Sequence, residues 1–196
     1  MIKDWTSPWW QACLLPDVWD VCGIRVPSLS VWHTFALEQI GNRYLLGGAT
    51  DRDDAASLLL FASNDYATGK RLVLDESMRA RELLSMHKAL KRVDWSELHS
   101  ACVDYTTSCL HTARRFQKAD KGGKLCAVPY QWHIVARLSA GHPDAIVKAW
   151  NTPYATARCI FDAIAESSGD DSIMRPEYQK MDDEAVLERE SAQCQP

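Results

Sequence analysis

Two neighbouring segments set the terms for any fold this chain can adopt. "SLSVWHTFALEQIG" runs from Ser28 to Gly41 and "TDRDDAASLLLFAS" from Thr50 to Ser63. Each carries a helix start, and each is apolar around most of its circumference. In the first, Ser28 or Ser30 supplies an N-cap hydroxyl and Gly41 a stop. Val31 and Phe35 share one face, and Trp32, Ala36 and Ile40 the next; only Thr34 and Glu38 mark a polar edge. In the second, Thr50 or Asp51 caps, and Asp53 and Asp54 fall in the first turn, where the helix dipole favours acids. Its Ala55–Ala62 run is nearly all apolar. Helices of this kind are buried helices. Neither approaches the roughly 20 apolar residues of a membrane span.

The rest of the chain continues in helical periods. "NRYLLGG" (Asn42–Gly48) is a connector, and "NDYATGK" (Asn64–Lys70) reads as a break. A charged helix covers roughly Asp75 to Val93, with Leu83, Met86, Leu90 and Val93 recurring at helical spacing. "DWSE" (Asp94–Glu97) has the capping-box pattern and opens a helix to about Lys118. Leu98, Cys102, Tyr105, Cys109 and Phe116 form its inner stripe. "KADKGGK" (118–124) has the composition of a linker. Beyond it, Pro129 precedes a short apolar helix that Gly141 ends, and "HPDAIVKAW" is a second one with Pro143 in its first turn. Thr152 then reads as an N-cap followed by proline at the first helical position. Tyr154, Ala157, Phe161 and Ile164 form one stripe, with Arg158, Asp162 and Glu166 opposite. The expectation is an all-α bundle of about seven helices. The segments are an irregular Trp-rich stretch (1–28), a helical domain (29–119), a linker (120–128), a C-terminal helical subdomain (129–175) and an acidic tail (176–196). A short strand or turn is the only other signal in 1–28.

Composition narrows the class. With 46% hydrophobic and 24% charged residues, a core of normal size forms without a metal or disulfide staple. A net charge of −4 argues against general nucleic-acid binding. Seven cysteines, an odd number with no CxxC pair, and no apolar leader in "MIKDWTSPWW" fit a reducing cytoplasm. Of eight tryptophans, Trp5, Trp9, Trp10, Trp19 and Trp32 precede residue 33, so this end either caps a core or meets a partner.

Chemistry is thinly represented. His99, Cys102, Cys109 and His111 lie in one row, but Cys102 and Cys109 stand about 10 Å apart along a helix. One zinc, with bonds of about 2.0–2.3 Å, cannot take both. Asp104 joins His99, Cys102 and His111 in a catalytic reading only if a pocket gathers them. No GxSxG or recognisable cysteine-nucleophile context occurs. His33, His87 and His133 sit in apolar helical patterns as packed histidines do. Gly47 and Gly48 precede a helix start without GxGxxG spacing, and "DKGGKLC" lacks the P-loop spacing. Asp162, Glu166, Asp170 and Asp171 read as a solvated acidic face, since like charges at i, i+4 repel. No catalytic, cofactor-binding or metal-binding residue is assigned, and the chain is expected not to be an enzyme.

Two stretches carry a family resemblance. "VPSLSVWHTFALEQIGNRYLLGG" and the following "DRDDAASLLLFAS" lie within Val26–Ser63, and "AWNTPYATARCIFDAIAESSGD" spans Ala149–Asp170. The first resembles the opening of tail assembly chaperones of long-tailed bacteriophages: an apolar helix, "IG", a loop and an acid-led apolar helix. The second is similar to their W-x-x-P-Y corner and following helix. The resemblance implies a non-enzymatic protein in the cytoplasm of an infected bacterial host, without cofactor, nucleic acid or membrane. Its partner would be the long apolar tape-measure protein or another virion protein. Trp32, Phe35, Trp150 and Tyr154 would then either line a client groove or shape the core. A structural virion or connector protein, and an inhibitor of a host defence system, are the alternatives.

Overall fold

The computed structural model describes Ala12, residues 14–112 and residues 128–169. Trp5, Trp9, Trp10, Phe116, Asp170, Asp171, nearly all of the 120–128 linker and the acidic tail lie outside these. The described residues form a mostly helical bundle with one small hairpin. A hairpin is formed by β1 (Val18–Val21) and β2 (Ile24–Pro27), paired antiparallel with Val18 opposite Pro27 and Val21 opposite Ile24. Among the described residues nine α-helices follow: α1 (Val31–Gln39), α2 (Arg43–Leu46), α3 (Arg52–Ala62), α4 (Tyr66–Leu74), α5 (Glu76–Leu90), α6 (Trp95–Leu110), α7 (Tyr130–Leu138), α8 (Ile146–Asn151) and α9 (Tyr154–Ser167).

The hairpin replaces part of the irregular segment expected over 1–28. Its two-residue turn has φ of 53° at Cys22 and 83° at Gly23, the double positive φ of a type I′ turn that matches strand twist. Asp20 Oδ1 accepts the Gly23 N–H at 2.7 Å. The hairpin is held to α6 by Tyr105, whose hydroxyl donates to the Pro27 carbonyl at 2.6 Å and whose ring meets Trp19 edge-on at 5.7 Å.

The two apolar segments become α1 and α3, at the centre of the core. Val31, Leu37, Ala55, Ala56, Leu58, Leu59 and Phe61 are wholly buried. The α3 start is a capping box: Asp51 accepts from the N–H groups of Asp53 and Asp54, and Asp54 reaches back to the Asp51 N–H. Asn42 caps α2 through the Tyr44 N–H, and its amide donates to Asp54 O and Ser57 Oγ at 2.8 and 2.9 Å. Arg52 donates to the Leu90 and Val93 carbonyls, closing the end of α5.

Two helices exceed the expected set. The α2 turn fits within the connector, and α4 occupies the stretch read as a break. Asp65 caps α4 by accepting the Thr68 N–H at 2.9 Å. Conversely, α6 stops at Leu110, and His111 turns to extended backbone, short of the expected Lys118. Helices on both sides of the 120–128 stretch contribute to one hydrophobic cluster, which holds Val31, Leu59 and Leu98 together with Ile134, Val135, Trp150 and Ala157.

Candidate functional site

The corner between α8 and α9 departs from its expected capping. Thr152 ends α8, its hydroxyl donating back to Lys148 O at 2.9 Å, and Pro153 takes the N-cap position of α9 without a side-chain cap. Backbone pairing with the start of α1 fixes the corner instead. Tyr154 N–H donates to Leu29 O at 2.7 Å, and Val31 N–H donates to Thr152 O at 3.0 Å. Ser30 and Pro153 thus form an isolated antiparallel bridge.

This stitching sets Trp150 inside a ring of aromatics. Trp132 meets it edge-on at 5.0 Å and Trp32 at 6.2 Å; Phe35 lies at 5.5 Å, and Tyr66 stacks at 5.8 Å with planes 2° apart. Four helices, α1, α4, α7 and α8, meet in this cluster. Of the four residues expected either to line a client groove or to shape the core, Trp32 and Trp150 are buried, at 5% and 1% exposure. Their rings pack edge to face against one another, while both indole N–H groups are buried without a hydrogen-bond partner among the described residues. Phe35 and Tyr154 are half-buried and pack against the same core. Burial pushes the Tyr154 hydroxyl pKa up. The cluster reaches the surface through Trp132, 42% exposed. Trp132 and Tyr66 carry no sequence signal for this role: Trp132 lies in an apolar helix with no distinguishing spacing, and Tyr66 in the apparent break.

The residues weighed for chemistry are dispersed. His99 Nδ1 lies 3.1 Å from Thr50 Oγ1 and 3.2 Å from Tyr44 Oη, under the Trp95 ring. Cys102 and Cys109 are buried thiols pushed up to about 12 and about 11 by desolvation, which keeps them protonated at neutral pH. His87 Nε2 stands 3.2 Å from Asp53 Oδ1 at the surface. Gly47 and Gly48 adopt positive φ, and Gly47 ends α2. Among the described residues no three His, Cys, Asp or Glu gather as a metal site would require. Asp162 corrects the solvated-face reading: it is 1% exposed, with Arg158 Nη2 at 3.5 Å. Arg158 in turn lies over the Tyr130 ring at 4.8 Å and donates to the Tyr130 hydroxyl.

A cleft of about 710 Å³ opens beside the corner. Its walls are Leu15–Asp17, the β2–α1 junction at Pro27, Ser28 and Ser30, the α3–α4 turn at Ser63–Asp65, and Asn151, Pro153 and Thr156. None of His99, Cys102, Asp104 and His111 lines it, so it does not assemble that catalytic set. His33 does line it, with both ring nitrogens bonded: Nδ1 accepts the Ser30 N–H at 2.9 Å, and Nε2 pairs with the Asn64 carbonyl at 2.7 Å. A histidine so held is a structural member of the wall.

No helix among the described residues is long and apolar enough to cross a membrane. Comparison with protein families, with curated proteins and with solved structures gives no match.

Proposed function

We propose that this chain is a non-enzymatic protein-binding helical domain, and that it acts in bacteriophage tail assembly as a chaperone for the tape-measure protein. The observation that supports a binding role is the exposure of large apolar side chains on the C-terminal helices. Trp132 on α7, Val147 on α8 and Ile160 on α9 are 42%, 50% and 42% exposed. Large exposed apolar side chains on packed helices favour an amphipathic helical client, whose own stripe would cover them. The identity of the client rests on the resemblance of Val26–Ser63 and Ala149–Asp170 to tail assembly chaperones. On this reading the protein works in the cytoplasm of the infected host.

Co-expression with the tape-measure protein tests the proposal. The expected result is a soluble complex that copurifies, with the chain absent from finished particles by mass spectrometry. A client that stays insoluble and never copurifies would sink it. Many copies in purified particles would favour a structural virion protein.

A further inference from the structure

His33 occupies an unusual capping position. The usual capping box has Glu or Gln at N3, reaching back to the N-cap N–H. Here that reach is made by an imidazole: Ser30 Oγ accepts the His33 N–H, and His33 Nδ1 accepts the Ser30 N–H at 2.9 Å. The acceptor role at Nδ1 leaves the proton on Nε2, which donates to Asn64 O at 2.7 Å. The ring is therefore a neutral strut between the start of α1 and the turn from α3 to α4, and it is 3% exposed.

Protonation would place an N–H on Nδ1 facing the Ser30 N–H, two donors with no acceptor between them. It would also put a charge where water does not reach. Burial already pushes the His33 pKa down. The groups facing the ring do little to hold a charge. Asp65, on α4, is the nearby carboxylate; its oxygen is engaged by the Thr68 N–H, and it lies at the exposed rim. The α3–α4 turn presents Ser63 and Asn64, and the α8–α9 corner presents Asn151, Pro153 and Thr156. The lead-in to β1 presents Asp17 from the far wall of the cleft.

Ser30 is also the residue bridged to Pro153, with Leu29 and Val31 on either side bonded to Tyr154 and Thr152. A displaced Ser30 pulls on both of these bonds. We propose that His33 is an acid-released latch: protonating its ring detaches the start of α1 from the α8–α9 corner and opens the cleft between them.

The sign follows from linkage. The unfolded chain takes up the His33 proton near pH 6.5, and the folded chain resists it. The latch contributes fully above about pH 6.5, and its contribution is lost progressively as pH falls from there toward the lower pKa of the folded ring.

Backbone amide exchange of the full chain, expressed as protection factors to remove the intrinsic pH dependence, tests this between pH 7.5 and pH 5. Protection at Val31 and Tyr154 should drop about tenfold or more, while Leu59 in the middle of α3 holds. Ring 15N shifts should show the Nε2–H tautomer at pH 7.5. His33→Gln restores the common capping-box residue without a titrating group, and it should abolish the pH-dependent drop. Unchanged protection at Val31 and Tyr154 down to pH 5, whether or not the His33 ring titrates, would overturn the latch. So would an equal drop in His33→Gln. If that variant does not fold, the wild-type ring titration read against the two amides decides alone.

Discussion

At the scale of single residues, Gly69 shows how one contact reverses an ordinary expectation. Glycine within a helix is normally about 1 kcal/mol worse than alanine. A Cβ on Gly69 would lie 2.2 Å from Trp32 Nε1 and 3.0 Å from Cε2. Both are atoms of a rigid ring held by Trp150, Phe35 and Tyr66, so the indole cannot swing clear. Gly69→Ala should therefore destabilise by about 1–3 kcal/mol, the range of an overpacked core. A denaturant midpoint that rises instead would show that the ring yields. Trp150→Ala removes the centre of the same cluster, and its expected cost is about 3–5 kcal/mol. Pro153→Ala, three residues on, keeps the carbonyl that accepts the Ala157 N–H at 2.8 Å. It loses only restraint on the unfolded chain, under about 1 kcal/mol.

At the scale of elements, boundaries were readable where side-chain caps mark them. Asp51, Asp75 and Asp94 each cap the helix that the sequence reading starts nearby. The misses have a common cause: a distant partner decides the local conformation. Helix α4 was hidden because Gly69 resembles a breaker, whereas its glycine answers to Trp32. The short strand or turn read in 1–28 is a complete hairpin, whose Cys22–Gly23 turn lacks the usual Asn-Gly or Asp-Gly signal. Asp162 looked like part of an acidic face because its Arg158 partner and the Tyr130 ring over it come together only after α7 packs on α9. Asn42 is the element-scale residue whose loss should be felt most widely. It caps α2 and ties that turn to α3 through Asp54 O and Ser57 Oγ while 2% exposed. Asn42→Ala should cost about 2 kcal/mol, from a lost cap and buried groups left unpaired. Thermal unfolding measures it. A change within about 0.5 kcal/mol, the size of a surface substitution, would contradict this assignment.

At the scale of the whole molecule, the fold class was legible from periodicity alone, and the exposed apolar side chains of the C-terminal helices were not. Sequence spacing singled out Trp32 and Trp150, which the fold buries, because apolar aromatics at helical spacing look alike on an inner or outer face. Trp132, Val147 and Ile160 became visible only once α7, α8 and α9 were packed, since exposure belongs to the assembled bundle. We propose that these exposed side chains contact an apolar helical client. The most direct measurement is the affinity of the purified chain for the tape-measure protein, compared with a Trp132→Ala, Val147→Ser double variant whose unfolding midpoint is recorded alongside. Binding should weaken about tenfold or more, as for loss of a central aromatic anchor, with the variant still folded. Binding of undiminished affinity by the folded double variant would contradict it.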